Sequence, residues 1–154
     1  MEAMTLATSI AVMNKGVIEQ LAKPMEIYNN PKSLFVAKFV GSPQMNTVDF
    51  NDGEQLALSL LSKTKFEKNN VKTLGIRPES IKLTSKDNGD INGKIETIQP
   101  TGADWIVGLN ISGKSIFAIS SDQPPGNEND TIGLSFKLDG LHAFDRNDLK
   151  LEQD

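Results

Sequence analysis

The chain has 154 residues and carries 16 Lys and Arg against 20 Asp and Glu, a net charge of -4. Counted from Met45 onward the balance is 12 basic to 17 acidic residues, which removes the basic footprint of a nucleic-acid binder. Cysteine is absent, so disulfides and thiolate metal sites are excluded, and no apolar run approaches the roughly 20 residues needed to cross a bilayer.

The first 43 residues read differently from the rest. "EAMTLA" has good helix formers with its apolar residues mostly on one side, which predicts a short helix or the end of a longer one. "SIAVMNKGVIEQL" places two apolar stretches around Asn14-Lys15-Gly16, the pattern of a β-hairpin. Pro24 suits the first turn of a short helix, "PMEIYNN", which Pro31 ends. "KSLFVAKFVG" follows with Leu34, Phe35, Lys38 and Phe39 at helical spacing and Gly41 as a stop, and "GSPQMN" reads as a linker.

Beyond Asn46 the punctuation becomes that of short strands. "TVDFNDGEQLALSL" reads as a hairpin, and "VKTLGIRPESIKLT" as a strand, a proline-marked turn and a second strand. "INGKIETIQP", "DWIVGLNI", "KSIFAIS", "TIGLSFKL" and "LHAFD" continue the series, and "SSDQPPGNEND" is a surface loop. The expected fold is mainly β: a small barrel or sandwich of oligonucleotide/oligosaccharide-binding type over residues 46–154, preceded by a short α/β segment over residues 1–45.

One stretch imitates a nucleotide site. "GLNISGKS", Gly108 to Ser115, fits the phosphate-loop pattern letter for letter. Yet Trp105, Val107, Leu109 and Ile111 alternate with the residues between them straight through the supposed loop, which is strand periodicity. A phosphate loop needs successive amides turned inward as an anion nest, whereas a strand points them to opposite sides. Downstream, "SIFAIS" is β-prone and reaches Pro124 and Pro125 too soon for a helix. The expectation is a hairpin turning at Ser112-Gly113-Lys114.

Other chemistry is sparse. His142, the single histidine, sits in the terminal strand segment "LHAFD", where a half-exposed packing residue is favoured over a general base or metal ligand. Arg77 follows a strand in "GIRPES"; it could clamp an anion or a partner carboxylate, and the favoured expectation is that it ties that strand end to a neighbouring loop carboxylate. Trp105 opens an alternating strand, which favours core or interface packing over a stacking platform for a sugar or base. No metal-ligand spacing, nucleophile elbow or distinct carboxylate pair stands out, so neither a catalytic nor a metal site is assigned.

The order of these segments carries a family likeness. "EAMTLATSIAVMNKGVIEQLAKPMEIYNNPKSLFVAKFVGSPQMN" resembles the end of the nucleotide-binding domain of an ABC importer ATPase, in the branch serving maltose, glycerol-3-phosphate and related carbohydrates. "LGIRPE", Leu74 to Glu79, and "LHAFD", Leu141 to Asp145, match landmarks of that family's regulatory TOBE domain, and "GAD", Gly102 to Asp104, leans toward the glycerol-3-phosphate type. The resemblance makes residues 1–45 a remnant of the nucleotide-binding domain with its linker, and residues 46–154 the regulatory domain. The family's phosphate loop, signature motif, catalytic Glu and switch His would lie upstream of Met1. The chain itself is then expected to lack ATPase activity and to hold no cofactor, while the full-length parent uses ATP and Mg.

The resemblance further implies a second copy of the ATPase subunit as homodimer partner, membrane permease subunits, a cytoplasmic regulator, and a peripheral place on the cytoplasmic face of the membrane. Arg77, Glu79 and Phe144, which lie in the matched landmarks, and Trp105, from its place in the alternating strand, are the candidate regulatory or interface residues. The rival from another class is a stand-alone barrel for an oxyanion or oligosaccharide, for which Lys72, Arg77 and Lys82 are a thin basic supply. A third idea, a nucleotidase, rests on the phosphate-loop match alone.

Overall fold

The computed structural model describes residues 8–152. The expected helix at "EAMTLA" lies outside the described residues.

The first element among the described residues is a hairpin of β1 (Ile10–Asn14) and β2 (Val17–Ala22), as its pattern predicts. Lys15 and Gly16 both have positive φ, 52° and 80°, the twist that lets a two-residue loop join antiparallel strands. Helix α1 (Pro24–Asn29) starts on its proline. Helix α2 (Leu34–Phe39) is capped by Ser33, whose Oγ accepts from the Val36 amide at 3.2 Å, and the chain then turns at Gly41 with φ of 103°. Val12, Ile27, Val36 and Val40 form a small core beneath the hairpin.

The connection after Gly41 is shorter than its composition suggests. Met45 is already buried against Ala37 and Phe144, and Asn46 opens β3 (Asn46–Asp49). The Asn46 side chain donates to the carbonyl of Phe117 at 2.8 Å and accepts from its amide at 2.9 Å, in the manner of a one-residue strand.

The expected hairpin over "TVDFNDGEQLALSL" is not formed. After β3 the chain enters helix α3 (Glu54–Ser62), which buries Leu56, Ala57 and Leu60. Leu56, Leu58 and Leu60 mimic strand alternation, but Leu56, Ala57 and Leu60 also share a helical face, and the strong helix formers Glu, Gln, Leu and Ala fill the segment. A core offering room for one apolar stripe, rather than another sheet partner, decides between the two periods.

The remaining strands fall into two antiparallel sheets. In one, β4 (Thr73–Ile76) lies between β3 and β10 (Leu141–Phe144) and is buried at every residue. The other has the order β5 (Ile81–Thr84), β9 (Thr131–Phe136), β6 (Ile91–Pro100), β7 (Trp105–Ile111), β8 (Lys114–Ser120). This sheet curls until its edges β5 and β8 approach each other, a half-barrel closed over Leu74, Ile76, Ile95, Leu109, Ile116 and Leu134. The mainly β expectation is met.

Although β4 and β5 are joined only by Arg77 and the 3-10 turn Pro78–Ser80, they belong to different sheets. The turn carries the chain from one sheet to the other. At the C-terminal end a strap returns to the N-terminal segment: the Leu34 amide donates to the Asp148 carbonyl and the Lys150 amide to the Lys32 carbonyl, both at 2.9 Å.

Candidate functional site

The phosphate-loop look-alike is the β7–β8 hairpin. Ser112 and Gly113 have φ of 49° and 95°, and Leu109 and Ile111 are buried in the half-barrel. Its polar groups are taken up internally. The Gly113 amide donates to Asn110 Oδ1 at 2.9 Å, Lys114 Nζ bonds Asp52 Oδ2 at 2.9 Å, Ser112 Oγ donates to Gln55, and Ser115 Oγ donates to Glu96 at 2.9 Å. Burial pushes the Asp52 carboxyl up, but the bond from Lys114 and backbone amides outweigh it and hold the group below its ordinary value. No anion nest is formed.

The most concentrated polar chemistry lies at the sheet-switching turn. Arg77 is 2% exposed, yet among the described residues its donors reach no carboxylate. Nη1 donates to the carbonyls of Ala37 at 3.0 Å and Val40 at 2.9 Å, and Nη2 to that of Tyr28 at 3.1 Å. The expected tie to a loop carboxylate is therefore corrected: short helices end in carbonyls without intrahelical partners, and a planar cation serves several of them at once. The Nε donor is buried without a partner among the described residues. Burial pulls the guanidinium down from its ordinary value, while Tyr28 and Glu79 act in the opposite direction.

Tyr28 completes the cluster. Its ring lies 4.2 Å from the guanidinium carbon, and its hydroxyl donates to Glu79. Burial, the bond to Glu79 and that carboxylate's charge push the phenol up to about 12, against a lowering by Arg77. Sequence reasoning missed Tyr28; that it is the chain's single tyrosine is its one distinguishing mark, and nothing in its spacing points to Arg77.

His142, expected half-exposed, is only 8% exposed. Strand β10 is covered on this side by the turn after β4 and by the returning C-terminal strap, which a reading of "LHAFD" by itself does not reveal. Burial, then the charges of Lys150 and Arg77, pull the imidazole down to about 4, so it is neutral at neutral pH.

The structure brings Arg77 and Glu79 together around a cleft of about 80 Å³ that Tyr28, Ser80, Asp139 and His142 also line. Ligand pockets for small organic molecules run from about 300 Å³ upward, so a sugar or nucleotide does not fit there. Phe144 is fully buried in a cluster with Met45 and Ala37, and Ala37 is one of the residues whose carbonyl Arg77 holds. Trp105 stands apart, half-buried at the start of β7 and packed against the half-barrel core. Among the described residues no cluster of His, Asp and Glu is arranged to hold a metal ion.

The fold and this cluster define a small antiparallel β domain whose Arg77 donors are directed inward, onto the ends of two short helices. Residues 74–144 match the TOBE domain family. The chain is 37% identical over 153 residues to the sn-glycerol-3-phosphate import ATP-binding protein UgpC of Pectobacterium atrosepticum, covering 94% of this chain and 43% of that protein. It is 39% identical over 150 residues to UgpC 2 of Rhizobium johnstonii, covering 95% and 42% respectively. An uncharacterized ABC transporter ATP-binding protein, YcjV of Escherichia coli, is 31% identical over 156 residues, with 94% and 43% covered. The chain thus carries a TOBE domain, an OB-type fold, and is similar to the C-terminal part of ABC import ATP-binding proteins. It spans 43% of the length of the first of these relatives.

Proposed function

We propose that this chain is the C-terminal regulatory portion of the ATP-binding subunit of an ABC importer for glycerol-3-phosphate or a related carbohydrate. The observation that carries the reading is similarity running through 94% of the chain to import ATP-binding proteins, from the β1–β2 hairpin to the end of the TOBE domain. On this reading the N-terminal segment is the last part of the nucleotide-binding domain. ATP and Mg are bound by residues of the parent outside this chain, and hydrolysis takes place there.

The TOBE domain then mediates contact with a second copy of the subunit and transmits regulation to ATP-driven uptake, with membrane permease subunits and a cytoplasmic regulator as partners. The assembly sits peripherally on the cytoplasmic face of the membrane. A partner that prefers one arrangement of the paired regulatory domains changes transport by shifting that equilibrium. The test is the reading frame upstream of Met1: a phosphate loop, a signature motif and a switch histidine in that order are expected, and a frame without them overturns the reading.

The stand-alone oxyanion barrel draws less support. Arg77 is committed to backbone carbonyls, and Lys72 pairs with Asp148 at 3.1 Å, which leaves Lys82 of the three basic residues. Calorimetry with molybdate, phosphate and glycerol-3-phosphate separates the two readings, since saturable binding to this chain favours the barrel.

A further inference from the structure

Arg77 stands at the end of β4, where the chain leaves one sheet for the other, and it faces the N-terminal segment. The carbonyls of Ala37 and Val40 belong to the end of α2, and that of Tyr28 to the end of α1, so one guanidinium holds the ends of two helices. Tyr28 is held twice, by its carbonyl and ring against Arg77 and by its hydroxyl against Glu79, two residues further on. The surrounding backbone fits closely: a Cβ on Gly41 would stand 3.3 Å from Nη1, and one on Gly140 would stand 3.2 Å from Arg77 Cβ. Gly41 also needs its positive φ of 103°, so the position is constrained both by conformation and by Arg77.

We infer that Arg77 is a latch that couples residues 10–40 to the β domain in a discrete docked state. The planar fork is rigid, so its carbonyl bonds are made and broken together. A guanidinium withdrawn from these carbonyls while still buried would be an uncompensated charge, which is strongly unfavourable, so the seam is either closed or open. Glu79 and Tyr28 are positioning residues that orient the fork. One consequence rests on the importer reading: the latch is then the contact through which the placement of the TOBE domain biases the end of the nucleotide-binding domain. The latch itself is a property of this chain.

The test is residue-resolved amide hydrogen exchange on the whole chain, as wild type, Arg77→Met and Arg77→Lys. Arg77→Met is expected to accelerate exchange in α1 and the C-terminal half of α2 about tenfold or more, with β6, β7 and β9 unchanged within about twofold. Arg77→Lys keeps the charge but not the fork and is expected to fall between. Uniform acceleration throughout the chain, or no acceleration in α1 and α2, overturns the inference. Should Arg77→Met not fold, wild type in sub-denaturing urea decides: α1 and the C-terminal half of α2 opening together as one unit while β6, β7 and β9 stay protected supports the latch, and α1 and α2 opening separately, or only with the whole chain, overturns it. An upstream frame lacking the ATPase motifs would remove the transport consequence and leave the exchange result standing.

Discussion

Tyr28 and Arg77 lie 49 residues apart in sequence, and the Arg77 guanidinium both donates to the Tyr28 carbonyl at 3.1 Å and stacks 4.2 Å from the Tyr28 ring centre. The two residues join the N-terminal segment to the sheet-switching turn. Because the chain has one tyrosine, a near-ultraviolet absorbance titration reads this contact alone. The phenol is expected to ionise near pH 12 rather than 10. Its folded pKa is raised, so the stability it contributes is present below pH 10 and is lost as the pH climbs from 10 through 12. A titration step at the ordinary value in the folded chain would contradict the contact. Tyr28→Phe, which keeps the ring and removes the bond to Glu79, is expected to cost about 1 kcal/mol in urea unfolding.

His142 gives the opposite end of the pH scale. Its folded pKa of about 4 lies below the ordinary 6.5, so the unfolded state takes up the proton first. Stability is present above pH 6.5 and falls as the pH drops from there toward 4, by on the order of 3 kcal/mol at most. Urea denaturation at several pH values, with His142→Gln beside wild type, measures it. A variant with the same slope between pH 6.5 and 4 as wild type would show that other groups carry the acid sensitivity.

Helix α3 is tested by a pair of leucines that a strand would place on one face. Leu60 is fully buried and Leu58 is 43% exposed. Leu60→Ala is expected to cost about 2–5 kcal/mol and Leu58→Ala less than about 1. Equal losses at the two positions in thermal or urea unfolding would restore the strand reading.

Lys114 tests the nucleotide match. Lys114→Ala removes a partly exposed ion pair with Asp52 and is expected to change stability by no more than about 1 kcal/mol. Equilibrium dialysis with labelled ATP should detect no binding to either form, whereas binding to wild type that the substitution abolishes would rescue the phosphate-loop idea.

Among the described residues the β1–β2 sheet has two strands, and Met13, Val17, Ile18 and Leu21 are exposed on it. Unpaired apolar edges associate, so this chain is expected to form a dimer or exchange strands at high concentration. Light scattering should show a concentration-dependent mass that Ile18→Lys and Leu21→Glu reduce to the monomer. A monomeric mass at all concentrations sinks this prediction.

Most strand and turn positions were legible because their signals are local. Lys15-Gly16 and Ser112-Gly113 mark hairpins by turn chemistry, Ser33 and Gly41 bracket α2, and the alternation from Trp105 to Ile111 outweighs the phosphate-loop pattern. The segment over α3 failed because its leucines satisfy both periods, and only the shape of the core selects one.

What the sequence alone determined is therefore most of the strands and turns, the family likeness and the strand character of the phosphate-loop match, all of which depend on residues close together in the chain. The tertiary structure decided where the charges go. Arg77 meets helix-end carbonyls rather than a carboxylate, Tyr28 joins it from 49 residues away, and His142 is buried rather than half-exposed. Each of these outcomes depends on how the two sheets, the N-terminal helices and the C-terminal strap pack together, and long-range packing leaves no periodic trace in the sequence.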